Sequence, residues 1–198
     1  MVNEAPPLFG LVLAGGESRR MGVDKALLRH GDESQLDYAV RMVSTVVAET
    51  WVSARKSQGG AERAQYPLIL DRYENLGPAA GILSAMDHDP RVAWLVLACD
   101  LPNVTASTLR ALVAGRAENQ PFTAFRSSHN DLPEPLCAIY EPGARQLLDG
   151  FIAEGINCPR KVMIRSNTRL LSQPDPASLD NINTPQDLAR SPLQQTAQ

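Results

Sequence analysis

Residues 9–13 and 94–98 are apolar without a break, and small or polar side chains follow each run at once. Unbroken apolar runs of this length predict strands buried on both faces. Further runs rich in β-branched, aromatic and aliphatic residues lie at 50–54, 67–71, 122–125, 136–140 and 168–171. Between them the apolar spacing changes to that of a helix. Leu36, Val40, Val43 and Val47 recur on one helical face over residues 36–47. Similar patterns cover 79–87, 107–117, 143–153 and 185–189. Thr105 can cap the third of these helices, and Thr184 with Pro185 forms a start signal for the last.

Strands that alternate with helices predict an α/β sandwich built on a largely parallel sheet. In such folds ligands sit beyond the carboxyl ends of the strands. Gly15-Gly16, Asp71 and Asp100 each mark the end of a predicted strand, so one crevice is expected to gather them. Asn181-Ile182-Asn183 precedes the final helix, where polar side chains can face the same crevice. With 198 residues, 43% of them apolar, the chain suits one domain over 1–190, with a polar tail at 191–198 expected to fray.

A formal net charge of −3 argues against general nucleic-acid binding and leaves the cations to act locally. No apolar run approaches a membrane span, and the first residues lack the pattern of a secretory signal. Cys99, Cys137 and Cys158 are odd in number and widely spaced, with no zinc or disulfide framework, so a reducing cytoplasm is expected. His30, His88 and His129 stand apart from any ligand set and read as surface residues. Cys99 ends an apolar strand and reads as a small buried hydrophobe rather than a nucleophile.

The local exception to the acidic balance follows the first strand. Leu13-Ala14-Gly15-Gly16 leads into Ser18, Arg19, Arg20, Met21-Gly22 and Asp24-Lys25. Small residues let backbone N–H groups approach phosphate oxygens, while Arg and Lys offset the charge. The stretch is neither a Walker A motif nor GxGxxG. Asp100, in Cys99-Asp100-Leu101-Pro102, can bind the Mg2+ of a nucleotide, which takes one or two protein carboxylates and fills its octahedron with phosphate and water. A capping or turn role is the alternative. Asp71 and the small residues of Gly77-Pro78-Ala79-Ala80-Gly81-Ile82 can meet a base or ribose. A helix packed tightly on the sheet explains the same residues. An Asx turn would equally account for Asn181 and Asn183. Arg160 and Lys161, after Cys158-Pro159, read first as a solvated pair and second as a contact to an acceptor phosphate.

Taken together, the ordered residues from Leu13 to Lys25 resemble the LAGGxSxRMGxDK signature of the nucleoside-triphosphate transferases. They are most similar to the molybdenum cofactor guanylyltransferase family, and the segments at 77–82, 100–102 and 181–185 resemble that family's later motifs. The resemblance implies a three-layer α/β/α sandwich with a mostly parallel, Rossmann-like sheet. It implies transfer of GMP from GTP to the phosphate of molybdopterin-bound molybdenum, releasing pyrophosphate, with Mg2+ or Mn2+ as cofactor. On that pattern Lys25, Arg20 and Asp100 are catalytic, and Asp100 also holds the metal. Leu13, Ala14, Gly15, Gly16, Lys25, Ser53, Asp71, Gly77, Pro78 and Asp100 bind the nucleotide; Asn181 and Asn183 face the acceptor. Transient contact with cofactor insertion or delivery proteins is a further implication. Ser53 departs from the asparagine common at its place, being shorter and lacking an amide donor. A cytidylyltransferase for the same cofactor, a sugar- or polyol-phosphate nucleotidyltransferase and a non-catalytic nucleotide sensor or cofactor-handover protein are the alternatives the residues leave open.

Overall fold

The two unbroken apolar runs become neighbouring central strands. The computed structural model describes residues 5–16, 24–58, 60–182, 187 and 193–194. Its strands are β1 (Leu8–Leu13), β2 (Arg29–His30), β3 (Glu33–Ser34), β4 (Thr50–Ala54), β5 (Leu68–Leu70), β6 (Ala93–Ala98), β7 (Phe122–Arg126), β8 (Pro133–Tyr140), β9 (Thr168–Leu171) and β10 (Leu193–Gln194). Its α-helices are α1 (Gln35–Ser44), α2 (Ala61–Ala64), α3 (Pro78–His88), α4 (Ala106–Ala114), α5 (Ala144–Ala153) and α6 (Pro159–Ile164). Seven strands form the main sheet in the order β5-β4-β1-β6-β8-β7-β9. Within it β1, β4, β5 and β6 pair in parallel, and β8 alone runs against both its neighbours. The chain moves outward from β1 to β5 and then returns to lay β6 on the other side of β1. That reversal places a crevice at the carboxyl ends of β1 and β6, where α/β sheets bind ligands.

Successive residues of a strand face opposite sides. Leu11 and Val96 accordingly join the core under α3, α5 and α6, while Val12, Leu95 and Leu97 join the core under α1 and α4. Helices on both faces give the three layers that the sequence implies. Glycines set two of the packing distances. A Cβ at Gly10 would collide with Val43 on α1, and one at Gly81 would collide with the Ser53 hydroxyl.

Several boundaries differ from the sequence expectation for local reasons. The first helix begins one residue earlier, because Ser34 and Asp37 form a reciprocal capping box. It ends at Ser44 rather than Val47, since Thr45 closes the last turn through its N–H and hydroxyl on the Met42 carbonyl. The strand expected at 136–140, β8, starts at Pro133; Pro135 lies inside it, where proline ordinarily argues against a strand. The helix expected at 107–117 stops at Ala114, before Gly115. α2, α6 and the two-residue strands β2, β3 and β10 carry no pattern long enough to show in the sequence. The helix expected over 185–189 and the tail lie largely outside the described residues. No described helix is long and apolar enough to cross a membrane.

Candidate active site

Four parallel strands deliver their carboxyl ends to one cavity. Leu13, Ala14, Gly15 and Gly16 come from β1, Ser53 and Arg55 from β4, and Asp71 from β5. Ala98, Cys99 and Asp100 come from β6, and all line the same space with Asp24, Lys25, Gly77, Pro78, Gly81 and Leu136. Parallel pairing makes this geometry: Ala14 N–H donates to the Ser53 carbonyl at 2.9 Å, Cys99 N–H to Leu13 at 3.2 Å and Asp71 N–H to Ala54 at 3.0 Å. Every nucleotide-binding residue named from the sequence is present there. Arg20 and Asn183 lie outside the described residues.

Lys25 opens a 3-10 turn, Lys25–Leu27, capped by the Asp24 side chain, which accepts from Ala26 N–H. The turn holds Lys25 Nζ 3.5 Å from Asp100 Oδ2, with both side chains mostly buried. Burial pushes the Asp100 carboxyl above the usual carboxylate range, and Lys25 pulls it back. Asp100 Oδ1 is buried with no hydrogen-bond partner among the described residues. A buried carboxylate oxygen without a donor is costly, and a divalent cation would satisfy it. Among the described residues no three His, Cys, Asp or Glu side chains gather as a metal set.

Asp71 and Ser53 form a unit that the sequence does not reveal. Ser53, 1% exposed, donates its hydroxyl to Asp71 Oδ1 at 2.7 Å. Asp71 Oδ2 lies beside Gly15. Burial raises the Asp71 carboxyl, and Ser53 and Arg55 lower it again. The serine therefore orients Asp71 while lining the same cavity. Gly77 enters α3 with φ +56°, a conformation that favours glycine. Gly81 makes the close helix–sheet approach that was the competing explanation for this segment.

A second cavity adjoins the first and shares Gly77, Pro78, Asp100 and Leu136 with it. Asn181 lines it, brought there because Ile182 N–H donates to the Asp100 carbonyl at 3.0 Å. Arg160 lines it too, at the start of α6, with Nη2 on Glu134 Oε2 at 2.8 Å. The sequence reading of Arg160 as half of a solvated pair is corrected by that bridge. Lys161, beside it, is exposed. All three cysteines are free thiols, Cys99 and Cys137 buried and Cys158 exposed. Burial raises the Cys99 thiol and pushes that of Cys137 up to about 12, so neither supplies a thiolate. His129 Nε2 meets Asp180 Oδ1 at 2.7 Å on the surface, and the His88 ring packs against Trp51 at a 55° tilt.

The family model of the MobA-like NTP transferase domain matches residues 10–169. A molybdenum cofactor biosynthesis bifunctional protein from Synechocystis is 35% identical over 91% of this chain, which spans about half (52%) of that relative's length. A probable molybdenum cofactor guanylyltransferase from Mycobacterium ulcerans is 31% identical over 94% of both chains. Among solved structures, molybdopterin-guanine dinucleotide biosynthesis protein A from Archaeoglobus fulgidus superposes with a TM-score of 0.76 at 25% identity, covering 92% of this chain and 95% of its own. With a family model that spans most of its length, the chain belongs to the MobA-like NTP transferase domain family.

Proposed function

We propose that this protein transfers GMP from GTP to the phosphate of molybdopterin-bound molybdenum, giving the dinucleotide cofactor and pyrophosphate. The observation that carries the reading is the pairing of Lys25 with Asp100 in the lining of a cavity that also includes Leu13–Gly16 and Gly77–Pro78. The relatives' names supply the base and the acceptor.

An acceptor phosphate is already ionised near neutral pH and needs no general base. Catalysis then reduces to alignment and charge stabilisation. Lys25 offsets charge that develops around the α-phosphorus and the departing pyrophosphate. Asp100 would hold Mg2+, which would supply Lewis-acid neutralisation of the triphosphate charge. Asp71, fixed by Ser53, accepts from the base or ribose. Gly15 and Gly16 leave room for the triphosphate, and Arg20 steadies its outer phosphates. Asn181 meets the acceptor in the adjoining cavity, Asn183 shares that role, and the three free thiols suit a reducing cytoplasm.

The test is incubation with Mg2+, molybdenum-loaded molybdopterin and either GTP or CTP, followed by mass analysis. The guanine dinucleotide and pyrophosphate are expected with GTP. A cytosine dinucleotide formed in preference would overturn the choice of base, and GTP bound without any dinucleotide would overturn the choice of acceptor.

A further inference from the structure

Arg63 is almost fully buried, 2% exposed, on the four-residue helix α2, whose sequence shows no functional signal. A buried guanidinium persists only when its surroundings compensate the loss of water. Here one nitrogen, Nη2, donates to two acceptors: the Ala14 carbonyl at 3.0 Å and Asp24 Oδ2 at 2.7 Å. Ala14 follows β1 at the start of the glycine-rich stretch, and Asp24 immediately precedes Lys25. The other Asp24 oxygen accepts Ala26 N–H at 3.1 Å and so caps the turn that aims Lys25 at Asp100. One side chain thus ties the strand end to the lysine turn, from positions 49 and 39 residues away in sequence. A neighbour on the same side, Gln58, donates to the Gly16 carbonyl at 3.2 Å.

We infer that Arg63 is a positioning residue for nucleotidyl transfer: it holds Ala14 and Asp24 in register, and through Asp24 sets the direction of Lys25. The inference rests on the proposed reaction for its kinetic readout. Arg63 itself does not line the cavity. Lysine cannot replace it fully, because an ammonium is a more strongly hydrated point charge than the planar guanidinium.

The test compares Arg63→Met, Arg63→Lys, Asp24→Asn and the Arg63→Met/Asp24→Asn double variant. Each is scored for thermal midpoint, GTP affinity with Mg2+ by calorimetry, and kcat and KM for GTP well below its midpoint. Arg63→Met is expected to lower kcat per folded molecule about 10- to 100-fold, the scale on which misplaced catalytic groups act. GTP affinity should fall about tenfold, and Arg63→Lys should recover part of both losses. Adding Asp24→Asn to Arg63→Met should change kcat by less than about twofold, because the arginine acts through that carboxylate. If the methionine variant does not fold, Arg63→Lys and Asp24→Asn carry the comparison. Lower thermal midpoints with kcat and GTP affinity unchanged would overturn the inference, leaving Arg63 a purely structural ion pair. Multiplying effects in the double variant would overturn it equally. A parent that binds GTP without making dinucleotide removes the acceptor reading alone, and the Arg63 inference is then decided by the GTP affinities.

Discussion

At the scale of single residues, the site is a small set of charges whose neighbours decide what each can do. Lys25 is the described cation held against Asp100. Charge stabilisers of this kind contribute roughly 2.7–4 kcal/mol to the transition state. Lys25→Ala should therefore lower kcat by about 100- to 1,000-fold with a smaller change in KM, read from initial rates of pyrophosphate release. A rise in KM with kcat unchanged would instead assign Lys25 to binding shared equally by the ground and transition states. Asp71 makes a prediction of different kind. Burial raises its carboxyl, so the stability it contributes is complete below the ordinary carboxylate value and is lost as pH rises through the raised one. Relative to the parent, Asp71→Asn should gain stability as pH rises from about 3.5 to 7, measured from urea midpoints. Ser53→Ala should steepen the parent's dependence, since its hydroxyl favours the ionised form. A gap that stays constant with pH would contradict the burial of Asp71. The sequence placed Asp71 and Ser53 in the site but not in contact, because their hydrogen bond spans 18 residues and follows only from the pairing of β4 with β5.

At the scale of elements, the site depends on how closely α3 approaches the ends of β1 and β4. A Cβ at Gly81 would collide with the Ser53 hydroxyl and stand 2.9 Å from Leu13 Cδ2. Both neighbours line the candidate-site cavity, so relief by moving α3 would widen it. Overpacking typically costs about 1–3 kcal/mol. Gly81→Ala should show that loss in chemical denaturation together with weaker GTP binding, whereas a change in stability alone would mean that the helix, and not the cavity, absorbs the methyl group. The cap of α1 offers a control: Ser34→Ala removes its capping box at about 1 kcal/mol and should leave GTP binding unchanged. Elements long enough to show a period were legible, α1 from Leu36, Val40 and Val43 and the central strands from their unbroken apolar runs. α2 and α6 were not, because four and six residues make too little of a helical repeat. Arg63 and Arg160, which sit on them, were consequently missed or read as surface. The reversed direction of β8 was hidden for another reason: a strand's apolar pattern records burial and says nothing of direction.

At the scale of the whole molecule, the sheet separates an end that binds from an end that anchors. The carboxyl ends of β1, β4, β5 and β6 form the cavity. The opposite edge holds the start of β1 and, because β8 runs backwards, the end of β8. There Arg116, after α4, donates through Nε to Glu141 Oε1 at 2.6 Å and through Nη2 to Glu141 Oε2 at 2.9 Å. Its Nη2 also reaches the Pro6 carbonyl at 2.9 Å, just before β1. The side chains are 11% and 4% exposed, so this bidentate pair is desolvated and joins three distant parts of the chain. Removing one member of such a pair leaves the other charge buried alone, at a cost of about 3–5 kcal/mol. For a chain of this size each kcal/mol moves the melting temperature by about 2–4 °C. Glu141→Ala should thus melt on the order of 6–20 °C below the parent by calorimetry. Its kcat and KM for GTP, taken where it is still folded, should match the parent's, because no residue of the bridge reaches the cavity. A fall in kcat alongside the melting temperature would show that strain at the anchoring edge passes along β1 and β8 to Leu13 and Leu136, so that the two ends act as one unit.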